Sequence, residues 1–122
     1  MAIKKILVVD DSPTEALFLS EILSKNGFKV SVAADSDQAM AKLEGEPFDL
    51  VLMDVVMPGQ NGYQATRAIK KDDRFKDIPV IICTTKGLET DRVWGMRQGA
   101  SDYIVKPVKA EDLLEKIAKL PQ

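Results

Sequence analysis

The sequence predicts an α/β protein with a parallel, doubly wound sheet, and three observations carry that prediction. Short apolar runs recur as "ILVV" (6–9), "LVLM" (50–53) and "VIIC" (80–83), each continuous rather than alternating, as strands covered on both faces require. Stretches of helical periodicity separate them, so that strand and helix alternate five times. At 122 residues the chain has room for one domain and one core. In such a sheet the crossovers are right-handed, and ligands bind beyond the carboxyl ends of the strands, where strand order reverses.

The elements follow in order. Ile6 to Val9 form the first strand and run straight into Asp10 and Asp11. Ser12 is placed to cap the next helix, with Pro13 at its first position, Glu15 closing a capping box and Gly27 just past its end. Ala16, Leu19, Ile22 and Leu23 give this helix one apolar face. "KVSVA" (29–33) alternates and reads as an edge strand, followed by a helix over 36–45. The third strand, 50–53, leads to a helix over 61–72, and the fourth, 80–83, to one over 88–98. "DYIV" (102–105) is the fifth strand. Ala110, Leu113, Leu114, Ile117 and Ala118 then recur at helical spacing. No repeat, low-complexity tract or linker interrupts the series.

Composition excludes several classes of function. The net charge of -2 gives no global attraction to nucleic acid or anionic lipid. No apolar run approaches the roughly 18 residues of a membrane span, and "MAIKKILVVDD" is too short and too acidic for a signal peptide. A single cysteine, Cys83, excludes an internal disulfide, fits a reducing cytoplasm and reads as a small buried strand residue. The chain contains no histidine, which removes Ser-His-Asp and Cys-His catalysis, histidine-ligated zinc and a phosphohistidine carrier role.

The chemistry gathers at the strand ends: Asp10 and Asp11 after the first, Asp54 after the third, Thr84 and Thr85 after the fourth, and Lys106 after the fifth. If the first and third strands are neighbours, three carboxylates converge in one crevice. Two carboxylates ~4 Å apart repel by about 4 kcal/mol at an effective dielectric near 20. A divalent cation relieves that repulsion, and hard oxygen ligands point to Mg²⁺. A lysine and a hydroxyl on the facing loops then suit a phosphoryl group. Taken singly, each residue has a plainer use. Asp10 and Asp11 serve as helix caps, Asp54 precedes a turn at Met57-Pro58-Gly59, and the threonines end a strand. Lys106 is then a surface lysine and Tyr103 edge packing. Trp94, the single tryptophan, is either packing for the fourth helix or a partner contact.

Taken together, "VVDDS", "LMDVVMPGQNG", "CTT" and "GASDYIVKP" resemble, in order and spacing, the acidic pair, phosphorylation loop, switch and Lys-Pro block of the CheY-like response-regulator receiver family. The resemblance covers nearly the whole chain. It implies the flavodoxin-like (βα)5 fold, a five-stranded sheet in the order 2-1-3-4-5. It implies that Asp54 is the nucleophile that takes a phosphoryl group from a kinase's phosphohistidine. Asp11 and Asp54 would bind Mg²⁺ with the carbonyl of Val56, Asp10 helping through water. Thr84 and Lys106 would hold the phosphoryl oxygens, and Tyr103 would swing inward as Thr84 moves. Val56 and Lys86 occupy the two positions that set phosphate lifetime, and the Lys106-Pro107 bond would be cis. The stretch "TTKGLETDRVWGMRQGASDY" (84–103), with "DDSPTE" and "MDVVMPGQNGYQATR", is similar to PilH-type receivers of chemosensory systems that control type IV pili and twitching motility.

The expectation is a single receiver domain over 1–122 with no output domain, monomeric and cytoplasmic, catalysing its own phosphorylation and dephosphorylation. It would take phosphate from a histidine kinase or phosphotransfer protein of the CheA-like kind. Its output would be docking to a downstream protein effector, or draining phosphate from a shared kinase. Neither nucleic acid nor membrane insertion is expected. A haloacid-dehalogenase-type phosphatase needs D-x-D after its first strand, whereas the third residue here is Ser12. A nucleotide-binding domain would show a glycine-rich phosphate loop, and none is present. The alternative is a receiver-like adaptor that works without phosphorylation.

Overall fold

Five strands alternate with five helices in this computed structural model, which describes residues 2–121. They are β1 (Lys5–Val9), α1 (Pro13–Lys25), β2 (Lys29–Ala33), α2 (Ser36–Gly45), β3 (Leu50–Met53), α3 (Gly62–Lys71), β4 (Val80–Thr84), α4 (Glu89–Arg97), β5 (Asp102–Val105) and α5 (Ala110–Ala118). Met1 and Gln122, the ends of the expected domain, lie outside the described residues. The strands form one parallel sheet in the order β2-β1-β3-β4-β5. The three continuous apolar runs are its three interior strands. The alternating "KVSVA" lies at an edge, with Val32 exposed.

Period-two alternation sorts the interior strands onto two cores. Ile6, Val8, Leu50, Leu52, Ile81 and Cys83 face α1 and α5, packing on Leu19, Leu23, Leu113 and Ile117. Leu7, Val9, Val51, Met53 and Val80 face α2 and α3, packing on Ala39, Leu43, Ala65 and Ile69. Each such fully buried Leu, Ile or Val contributes about 1.5–3 kcal/mol over exposure. Cys83 is one of these packing residues, and burial pushes its thiol up to about 12. Val55, Tyr63, Ile82, Ala100 and Tyr103, with Met96 against them, form a smaller third cluster. α4 buries only Gly95 among its own residues and leaves Val93 and Trp94 exposed.

Two local expectations are revised. Ser12 caps α1, its hydroxyl accepting the Glu15 N–H at 3.3 Å, and Gly27 follows the helix at φ +88°. The capping box is not closed by Glu15, because Asp10 lies two residues back and its Oδ1 takes the Ser12 N–H at 2.9 Å. Glu15 turns instead toward a cation, Lys106, at 3.8 Å. The apolar stripe of α5 is also narrower than its periodicity suggests. Leu113 and Ile117 are buried and Leu114 half-buried, whereas Ala110 and Ala118 face out.

The β3–α3 connection brings α3 unusually close to the end of β3. Gly59 turns the chain at φ +73°, and the Gly62 N–H then donates to the Val55 carbonyl at 3.0 Å. A Cβ on Gly62 would collide with the Asp54 carbonyl, which is backbone and has nowhere to move. Gly62→Ala is therefore expected to destabilise the protein by about 2 kcal/mol or more. A urea midpoint within error of the wild type would contradict this.

Candidate functional site

Main-chain hydrogen bonds extend the sheet one residue past three strand ends and thereby fix the acidic cluster. The Asp10 N–H donates to Ala33 O at 3.0 Å, the Asp54 N–H to Val9 O at 2.9 Å, and the Lys106 N–H to Thr84 O at 2.8 Å. Because β1 and β3 are neighbours, Asp10, Asp11 and Asp54 each place a carboxylate oxygen within 4.8 Å of the others. Asp10 and Asp54 are buried, and Asp11 stands exposed at the rim.

Lys106, the residue after β5, reaches into this cluster, and the Lys106-Pro107 bond that follows it is cis, as the resemblance implies. Its Nζ donates to Asp10 Oδ2 at 2.7 Å and lies 3.7 Å from Asp54 and 3.8 Å from Glu15. Burial alone would lower the lysine's pKa. The hydrogen bond to Asp10 and the charges of Asp54, Asp10 and Glu15 outweigh it and hold the ammonium above its ordinary value.

Asp54 is held differently. The Val55 N–H donates to its Oδ1 at 2.8 Å, and the Val56 N–H also reaches the carboxylate. Burial raises its pKa above the ordinary 3.8; Lys106 opposes that rise and Asp10 adds to it. The result is a carboxylate in a poorly solvated position, with unsatisfied affinity for positive charge or an electrophile. Thr84 is buried at the end of β4, where its Oγ1 accepts the Lys86 N–H at 3.4 Å. That contact uses a lone pair and leaves the hydroxyl proton free to donate. Thr85, Val56 and Lys86 are exposed on the loops that follow Thr84 and Asp54.

The donor set fits a hard divalent cation. Every ligand atom is a carboxylate oxygen, and three carboxylates against one ammonium leave two negative charges uncompensated. Among the described residues this is the one such group of acidic side chains.

The sequence matches the response regulator receiver domain over residues 6–118. The chain belongs to the response regulator receiver family. It is 54% identical over 113 residues to protein PilH of Pseudomonas aeruginosa, covering 93% of this chain and 93% of that protein. It is 39% identical over 115 residues to the phosphate regulon transcriptional regulatory protein PhoB of Escherichia coli, covering 93% of this chain but 50% of that protein. The crystal structure of chemotaxis protein CheY4 from Vibrio cholerae superposes with a TM-score of 0.91 at 32% identity, over 98% of this chain and 100% of that one.

The strand ends thus bring Asp10, Asp11, Asp54 and Lys106 together directly, with Thr84 at the adjoining strand end. Tyr103 does not lie on the surface. Its ring is buried, and its hydroxyl donates to Lys86 O at 2.7 Å and meets the Tyr63 hydroxyl at 3.1 Å. Two participants were not legible as such in the sequence. Glu15 carries a fourth carboxylate toward Lys106, and its position four residues after Asp11, in the first helical turn, was the available signal. Tyr63 is a polar-tipped aromatic directly after Gly62, where an apolar residue would serve packing equally well.

The raised pKa of Asp54 fixes the sign of a stability effect. Its carboxyl stabilises the fold fully below the ordinary value of 3.8, and that contribution is lost as pH rises through the folded-state value. Asn mimics the neutral acid. Asp54→Asn is therefore expected to be more stable than the wild type at pH 7, with the gain shrinking as pH falls toward 3.8. Urea unfolding at pH 7 and pH 4 checks this, and a variant no more stable than wild type at pH 7 contradicts it.

Proposed function

We propose that this receiver acts as a stand-alone response regulator that accepts a phosphoryl group on Asp54. The observation that carries the reading is a buried carboxylate at the end of β3, destabilised by its surroundings, with Lys106 3.7 Å away and two further carboxylates beside it. In transfer, an Asp54 oxygen attacks phosphorus while the bond from phosphorus to the donor's histidine nitrogen breaks, its electron pair leaving with the imidazole. Lys106 remains cationic and pairs with the phosphoryl oxygens, drawn from Asp10 by the new negative charge. The Thr84 hydroxyl donates its free proton to another of those oxygens. Mg²⁺, held by Asp11 and Asp54 with the Val56 carbonyl and assisted by Asp10, would neutralise phosphoryl charge. Likeness to PilH over nearly its full length supports a single-domain role in type IV pilus or chemosensory control. The partners are then a CheA-like kinase or phosphotransfer protein and a downstream protein effector.

The reading predicts that the protein, incubated with Mg²⁺ and a small phosphodonor, gains one phosphoryl mass that maps to Asp54. Asp54→Asn should lose it, because an amide lacks the nucleophilic carboxylate. Labelling of Asp54→Asn at the normal rate would move the acceptor elsewhere, and an unlabelled wild type would favour the phosphorylation-independent adaptor.

The life of the acyl phosphate rests on whether water can be aligned with the breaking bond. Val56, exposed on the loop after Asp54, offers water no hydrogen bond, and the cationic Lys86 can pair with phosphoryl oxygens and shield them. Val56→Asn with Lys86→Glu is expected to accelerate autodephosphorylation several-fold, equivalent to about 1 kcal/mol in barrier height. An unchanged decay after donor removal would mean that both side chains act only as surface.

A further inference from the structure

Beneath α4 lies a pair of buried tyrosines that the acid cluster does not explain. Tyr63 is the second residue of α3, and Tyr103 lies in β5; their hydroxyl oxygens are 3.1 Å apart. Tyr103 donates to the carbonyl of Lys86 at 2.7 Å, two residues beyond Thr84. Its single proton is then committed. The Tyr63 proton is left to serve Asp91 O in α4, at 3.2 Å, and the oxygen of Tyr103. The two hydroxyls therefore join four segments: α3, the β4–α4 loop, α4 and β5.

The seat of the Tyr103 ring is equally specific. Gly95 lies over it, and a Cβ there would come within 3.0 Å of ring atoms Cδ2 and Cε2 and of Ile82 Cδ1. A ring so enclosed cannot leave without moving α4 or the Thr84 loop. At its other end, Tyr63 follows Gly62, the residue pressed against the Asp54 carbonyl. The tyrosine pair thus links the helix that starts against the Asp54 carbonyl to the Thr84 loop. Burial above all, and the Tyr63 hydroxyl next, push the phenol of Tyr103 well above its ordinary value and keep it a donor.

We propose that Tyr63 is a positioning residue for phosphoryl acceptance: its hydroxyl anchors Tyr103 in the buried seat and so holds the Thr84 loop ready for the phosphoryl oxygens. The inference rests on the phosphoryl-acceptor reading above and adds to it a residue outside the acid cluster. Its thermodynamic content is a population shift. A contact made only when Tyr103 is buried favours that state before phosphate arrives, and any ligand that requires the state binds more tightly for it. One net hydrogen bond corresponds to a factor of roughly three to ten.

The test uses the full chain with Mg²⁺ and beryllium fluoride, a tetrahedral mimic of the phosphoryl group, with affinity read by calorimetry. Tyr63→Phe keeps the ring and removes only the hydroxyl. It is expected to weaken beryllium fluoride binding about three- to tenfold, while Mg²⁺ binding without fluoride is unchanged. In a Tyr103→Phe background the same substitution should cost less than twofold, because the hydroxyl acts through Tyr103. Wild-type fluoride affinity in Tyr63→Phe, whatever its melting temperature, would reduce Tyr63 to core packing and overturn the proposal. A full penalty persisting in the Tyr103→Phe background would route the effect through Asp91 and overturn it as well. A wild type that binds no beryllium fluoride in Mg²⁺ would overturn the phosphoryl-acceptor reading and this inference with it.

Discussion

A buried ion pair, Lys106 on Asp10 at 2.7 Å, makes the acidic crevice of this protein possible. Two buried carboxylates and a third at the rim repel, and burial weakens the screening that water gives exposed charges. Lys106 meets the more buried of the two directly and the other at 3.7 Å. Such a pair is poor at adding net stability, since desolvating both ions costs most of what their attraction returns. Its importance lies in what removing one partner would expose. A lone buried charge costs on the order of 3–5 kcal/mol, a large part of a small domain's stability. The lysine therefore both stabilises the crowded carboxylates and presents a cation at the crevice.

The topology gathers the Asp10-Asp11 pair, Asp54 and Lys106 from strand ends far apart in the sequence. Interior parallel strands are apolar throughout because helices cover both faces, so polar residues first become tolerable where a strand stops. Strand order reverses at β1, which has β2 on one side and β3 on the other, and a crevice opens there beyond the carboxyl ends of β1 and β3. The ladder hydrogen bonds of Asp10, Asp54 and Lys106 continue the pleat one residue further, so the side chains inherit the rigidity of the sheet. Asp11 and Glu15 stand instead on the turn after β1 and in the first turn of α1, and both are more exposed. The deeper groups are fixed by the sheet's ladder, and the rim groups stand outside it.

Much of this was legible in the sequence because the relevant signals are local and strong. Continuous runs such as "LVLM" cannot be edge strands, and Asp54 directly after one has to lie at a strand end. The helix ends were readable wherever a cap residue marked them, as Ser12 and Gly27 do. What the sequence obscured was competition between partners. Glu15 has the spacing of a capping box, but Asp10 takes the Ser12 N–H and Lys106 attracts the freed carboxylate. Tyr103 reads as half-buried edge packing, yet Gly95 and Tyr63 enclose it, and that enclosure depends on contacts between β5, α4 and α3. Periodicity overstated the apolar face of α5 because alanine satisfies a hydrophobic pattern without requiring burial.

Charge balance ties the fold to the chemistry, and it is open to a direct measurement. With Lys106 in place the cluster of Asp10, Asp11 and Asp54 carries two uncompensated negative charges; without it there are three. Calorimetric titration with Mg²⁺ alone, in the wild type and in Lys106→Met, reads this difference. Charge balance predicts one Mg²⁺ bound by the wild type, tighter binding by Lys106→Met, and no binding once Asp10 and Asp11 are both replaced by alanine. Equal Mg²⁺ affinity in all three proteins, or none in the wild type, would contradict the assignment of this crevice as a cation site balanced by Lys106.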